Sequence, residues 1–151
     1  MSASIALLFL FVFSAITLGM SVKRIPEGQV YTLRRMGHHA PRLLKPGTHW
    51  VWPVLEHVTH RISLVGRSLR VDADGTSPAA TIFWQVLEPE RADAVIEQAE
   101  AMIRAHVQRT GPLLGDNTDP LARNAAMKHQ LNLALGMHGI LVTRVRMDPG
   151  A

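Results

Sequence analysis

The hydrophobic pattern of the chain changes character three times. Ile5–Val22 (IALLFLFVFSAITLGMSV) is almost continuously apolar, with Ser14, Thr17 and Ser21 its only polar side chains. A helix of that length spans roughly 27 Å, close to the thickness of a bilayer's hydrocarbon layer. The pattern predicts an N-terminal transmembrane helix with Ile5, Leu8, Phe11, Phe13, Ile16, Leu18 and Val22 as anchor residues. Serine and threonine fit such a helix because each hydroxyl can bond back to the preceding turn. A cleaved signal peptide is the first competing reading, but Met1–Ser4 lacks a basic start and Thr17-Leu18-Gly19 is a poor cleavage site. A buried core helix is the second, and a segment this apolar would need a larger enclosing protein.

From residue 25 to residue 87 the apolar positions fall into short runs broken by turn residues. Gln29–Met36 alternates loosely, and Thr48–Trp52, Val58–Leu64 and Ser68–Asp72 read as further extended segments. Thr81–Leu87 (TIFWQVL) is the clearest strand, rich in β-branched and aromatic residues. Pro26 and Gly28 turn the chain after the apolar run. Pro46-Gly47 is expected to fold a hairpin-like unit, Pro53 stops the next segment, and Asp72–Pro78 is a loop.

The period then becomes helical. Ala92, Ile96, Ala99, Ile103 and Val107 predict one helix over Glu90–Arg109, stopped by Gly111-Pro112. Asp119 as N-cap and Pro120 at the first helical position predict a second, running to about His138 and ended by Gly139. Its apolar face would be Met127, Leu131, Ala134 and Leu135, and Ile140–Met147 is a final strand. The expected class is α+β: a transmembrane helix, then a compact domain of short antiparallel strands with two helices. The expected organisation is an anchor over 1–22, a domain over 23–148 and a tail over 149–151.

Charge sharpens this picture. Residues 1–22 carry no charged side chain, 23–70 carry a net +7, and the remainder carries −3. A basic stretch directly after an apolar helix gains roughly 1 kcal/mol per Lys or Arg from anionic lipid, which accounts for the charge without a nucleic acid. Lys23 and Arg24 follow the run at once, so the positive-inside rule puts the C-terminal part in the cytoplasm. Trp50 and Trp52 lie two apart, on one face of extended chain, and tryptophan favours the headgroup layer. With Lys23 and Arg24 they form the expected membrane-surface contact; two ordinary core tryptophans are the alternative.

Motifs for chemistry are sparse. With no cysteine, thiol nucleophiles, Cys-based zinc sites and disulfides are excluded. His38, His39, His49, His57 and His60 fall close together, but His57 and His60 would face opposite sides of a strand. No Gly-x-Ser-x-Gly elbow or phosphate-binding glycine loop occurs. No catalytic, cofactor or metal residue is expected.

Several of these segments together carry a family resemblance. Ile25-Pro26-Glu27-Gly28-Gln29-Val30-Tyr31 leads into Leu33-Arg34-Arg35-Met36-Gly37. Leu44-Lys45-Pro46-Gly47-Thr48-His49-Trp50, Trp52-Pro53 and Arg61-Ile62-Ser63-Leu64 follow. This resembles the stomatin/prohibitin/flotillin superfamily, also called SPFH or band 7, over the anchor and residues 25–70. Leu87-Glu88-Pro89-Glu90-Arg91-Ala92 and Gly139–Val145 are similar to its strand-to-helix junction and closing strand. Two features depart from the family pattern: the interval between Val71 and Ile82 is short, and the chain stops at Ala151 without the family's coiled coil.

The resemblance implies a non-enzymatic membrane scaffold that organises membrane proteins or lipids, or modulates a membrane-bound protease. The implied partners are the bilayer and other band 7 proteins or such a protease, with the chain a small oligomer or an accessory to a larger assembly. The alternative is a tethered accessory subunit of a membrane enzyme or protease complex, or a basic membrane-surface binding module.

Overall fold

The computed structural model describes residues 2–37, 41–51, 55–73, 79–114 and 119–148, the backbone alone for 2, 3 and 20. It is an α+β structure of short antiparallel strands and four α-helices. Its contacts divide it into two compact units, Met1–Arg61 and Ile62–Ala151.

The first unit begins with α1, Ser2–Ser21. Thr17 Oγ1 sits 2.9 Å from the carbonyls of both Phe13 and Ser14, and Ser21 Oγ donates to Thr17 O at 2.7 Å. These two hydroxyls are thus satisfied within the helix, as an apolar helix requires. The transmembrane expectation needs correction in its bounds: the helix stops at Ser21, and Val22 opens a strand. Among the described residues no helix is long and apolar enough to cross a membrane.

Strands β1 (Val22–Ile25), β2 (Gln29–Arg35), β3 (Arg42–Leu44), β4 (Gly47–Trp50) and β5 (Glu56–Ser63) follow. They pair as two sheets, β1-β4 and β3-β2-β5. The hairpin expected at Pro46-Gly47 does not form. β3 pairs with β2 and β4 with β1, so Pro46 and Gly47 carry the chain from one sheet to the other. Gly47 has φ 135, a backbone conformation that glycine adopts freely. Pro26 and Gly28 do make the expected turn, with Gly28 at φ 78 and Gln29 N–H reaching Pro26 O at 3.4 Å. Ile25, Leu33, Leu44 and Val51 form the small core of this unit.

The second unit is built on an antiparallel sheet ordered β6 (Arg67–Val71), β7 (Ala80–Val86), β8 (Ile140–Met147). Alternation buries Ala80, Ile82, Trp84 and Val86 of β7. β8 changes phase midway. Phe83 faces Arg144 while Trp84 faces Val142, so Thr143 is a bulge, and its hydroxyl donates to Phe83 O at 3.2 Å. The extra residue lets Ile140 and Val142 before it, and Val145 and Met147 after it, all point into the core.

Helices α2 (Pro89–Ala92), α3 (Ala99–Thr110) and α4 (Pro120–Leu135) complete the unit. The single helix expected over Glu90–Arg109 is broken. Residues 93–98 form tight turns, with Val95 N–H bonded to Ala92 O and Gln98 N–H to Val95 O. Those turns let Val95 and Ile96 pack against the same core as Ala92 and Ala99. In α3, Ala99, Ile103 and Val107 are buried at four-residue spacing; in α4, Met127, Leu131 and Leu135 are. Ala134, expected on the α4 apolar face, is only half-buried, and Arg123 is buried instead. Asp119 occupies the N-cap position of α4 but makes no side-chain cap bond. A 3-10 turn, Gly136–His138, follows α4, and Gly139 at φ 70 ends it.

Candidate membrane-facing site

The two-stranded ribbon β1–β4 grows directly from the end of α1. Its register pairs Val22 with Trp50, Lys23 with His49, Arg24 with Thr48 and Ile25 with Gly47. The ladder continues one step further, because Val51 N–H donates to Ser21 O, the last residue of the helix, at 2.7 Å. Hydrogen bonding therefore ties Trp50 to the end of α1, although 28 positions separate Trp50 from Val22 in the chain.

Pairs along such a ladder alternate between the two faces. Ile25 and Val51 are buried, so the face they share with Lys23 and His49 turns toward the small core. The opposite face carries Val22, Trp50, Arg24 and Thr48, all exposed. His49 is half-buried on its face, and its Nε2–H donates to Lys45 O at 2.8 Å, bracing the turn at Pro46-Gly47.

The sequence-predicted residues thus separate. Trp50 and Arg24 share the outer face, while Lys23, also exposed, lies on the other. Trp52 and Pro53 lie outside the described residues, so the expected pairing of two tryptophans stands on the sequence alone. The strand over Val22–Ile25 and its pairing with β4 were not legible beforehand, since VKRI has no alternation of its own. The one available signal was Trp50 itself, an aromatic in a segment bounded by Pro46 and Pro53.

Basic side chains dominate the rest of this unit. Arg34 and Arg35 are exposed at the end of β2. Arg61 stacks on Tyr31, with Cζ 5.4 Å from the ring centre. The unit's only acids are Glu27 and Glu56, and Glu56 is buried, 3.9 Å from Arg42.

Other clusters do not converge. Among the described residues no three His, Asp or Glu side chains could hold a metal ion together, and His38 and His39 lie outside them. In the second unit, Arg67 lies 5.9 Å over the ring of buried Trp84, whose Nε1–H has no acceptor among the described residues. On α3, Arg109 Nη2 donates to His106 Nδ1 at 3.3 Å. That leaves the imidazole proton on Nε2, which is buried without a partner among the described residues. Burial first, and then the Arg109 charge, hold this histidine below its ordinary value of 6.5. No known family model matches the chain, and no curated protein matches it.

Proposed function

We propose that the chain is a non-enzymatic, single-pass membrane scaffold of the stomatin/prohibitin type. It holds a small α+β domain at the bilayer surface, where that domain gathers membrane proteins or lipids or restrains a membrane-bound protease. The observation that carries the reading is α1. Leu7, Leu8, Phe9, Leu10, Phe11 and Phe13 are each more than 60% exposed, and the helix has no charged side chain. A helix apolar on every side is stable only when something apolar surrounds it. Its twenty-residue backbone would reach roughly 30 Å, the thickness of the hydrocarbon layer.

The basic face that follows supports the same reading, as does the resemblance across residues 25–70. No reaction is assigned, because the sequence carries no nucleophile elbow, thiol or phosphate-binding loop. Positive-inside orientation places the domain in the cytoplasm.

Alkaline carbonate extraction tests the anchor. The full chain stays in the membrane pellet, and the double substitution Leu8→Lys, Phe11→Lys releases it. Wild-type protein appearing in the supernatant would sink the proposal. Crosslinking in intact membranes, followed by identification of what co-purifies, tests the scaffold role; a chain that crosslinks to nothing is not one.

A further inference from the structure

We infer that the outer face of the β1–β4 ribbon is a seat for anionic phospholipid headgroups, with Trp50 and Val22 at the hydrocarbon boundary and Arg24 in the phosphate layer. The inference rests on α1 being a membrane anchor, and it goes further by assigning a depth, a lipid class and a separate role to each residue.

Position along the ladder supplies the depth. Trp50 is paired with Val22, the first residue after the helix, and the Val51–Ser21 bond fixes that pair against the helix end. An exposed tryptophan paired with an exposed valine directly after an apolar helix suits the level where acyl chains give way to water. Arg24 lies on the same face two residues on, at most about 7 Å further along the strand. The headgroup layer adds roughly 5–8 Å on each side of the hydrocarbon, so the step from Trp50 to Arg24 matches it. Thr48, opposite Arg24, adds a hydroxyl to the same spot.

Charge supplies the lipid class. Among the described residues neither Lys23 nor Arg24 has an acidic partner. The first unit's two acids do not offset its seven Lys and Arg residues, and one of those acids is buried. A guanidinium makes short, paired hydrogen bonds to phosphate oxygens. The surplus therefore favours phospholipids with net negative charge over zwitterionic ones. An acidic polypeptide would also meet the charge, but it would not explain an exposed tryptophan and valine beside the arginine.

The full chain contains no cysteine, so single cysteines can carry spin labels without background. Leu8→Cys, Thr48→Cys and His49→Cys proteins are labelled and reconstituted in phosphatidylcholine vesicles with and without phosphatidylglycerol. Accessibility to oxygen and to a water-soluble nickel complex reads the depth of each label. Spin-labelled lipids, in protein without a labelled cysteine, read the preference for phosphatidylglycerol over phosphatidylcholine. The expected result is Leu8 in the hydrocarbon, Thr48 shielded from nickel at headgroup depth in the anionic vesicles, and His49 more exposed to it. Arg24→Gln should reduce the preference for phosphatidylglycerol about fivefold.

Several results overturn the inference. Thr48 as open to nickel as a label in solution, with Leu8 still in the hydrocarbon, removes the lipid seat and leaves the anchor intact. An unchanged lipid preference in Arg24→Gln removes the headgroup assignment. Thr48 shielded only when polyglutamate is added makes the ribbon a protein-docking face. Leu8 itself in water brings down the anchor reading, and the lipid seat with it.

Discussion

Asn132 of α4 holds Val142 of β8 by both of its backbone polar groups. Its Oδ1 accepts the Val142 N–H at 2.7 Å, and its Nδ2 donates to the Val142 carbonyl at 3.1 Å. The side-chain amide takes the place of a neighbouring strand on the outer edge of β8. Asn124, two turns earlier on the same helix, accepts the Met147 N–H at 2.9 Å. An open strand edge invites pairing with other chains, and here helix side chains occupy one edge of the sheet. Asparagine costs helix propensity, so its presence twice in α4 is explained by the edge it serves.

Asn132→Ala is therefore expected to lower the unfolding free energy by about 1–3 kcal/mol, because it strands a donor and an acceptor at once. Asn124→Ala removes one bond and should cost less. The two sites serve backbone groups five residues apart, so the double variant should be near additive. Thermal unfolding in detergent micelles, followed by circular dichroism, checks all three; an unaltered transition in Asn132→Ala would contradict the edge assignment.

Gly139→Ala is expected to be among the costliest single-methyl changes in the chain. The residue has φ 70, and an added Cβ would lie 2.5 Å from the Glu88 carbonyl oxygen. The Gly139 carbonyl also accepts from the N–H groups of both Leu87 and Glu88, so the glycine cannot retreat without breaking the β7–α2 corner. A loss of about 2–4 kcal/mol is expected in the same melts. Gly136→Ala, where no atom of the described residues lies within 4 Å of the added methyl, is the matched control and should be close to neutral.

Acid should weaken the second unit through His106. Its folded value is depressed, so the unfolded chain binds more protons wherever the two states differ. Its contribution to stability is fully present above about 6.5, and is lost as pH falls through that value and then through the lowered folded one. The difference in melting temperature between the wild type and His106→Gln should shift against the wild type on acidification from about pH 8 to about pH 5. A constant difference across that range would show that the ring titrates alike in both states.

Removing the core side chain Ile103, which is wholly buried in α3, should cost about 2–5 kcal/mol as Ile103→Ala. Glu100→Ala, on the exposed side of the same helix, should stay within about 0.5 kcal/mol. Equal effects would mean that α3 does not bury the face assigned to it.

Where a segment's own period determines its burial, the sequence was enough. β7 was legible from its β-branched and aromatic residues and β8 as a closing extended segment, and the buried residues of α3 and α4 from four-residue spacing, because composition and helical period are local properties. The apolar character of α1 and the basic stretch after it were equally plain, since composition depends on no partner. Tertiary structure alone decided which strands pair. Val22–Ile25 and Arg42–Leu44 are too short to declare themselves, and they become strands because β4 and β2 supply their hydrogen bonds. The same long-range pairing broke the expected hairpin at Pro46-Gly47 and set Trp50 beside Val22. Packing of Val95 and Ile96 against the core replaced one continuous helix with turns. Register and pairing depend on groups distant in the chain, and no local pattern contains them.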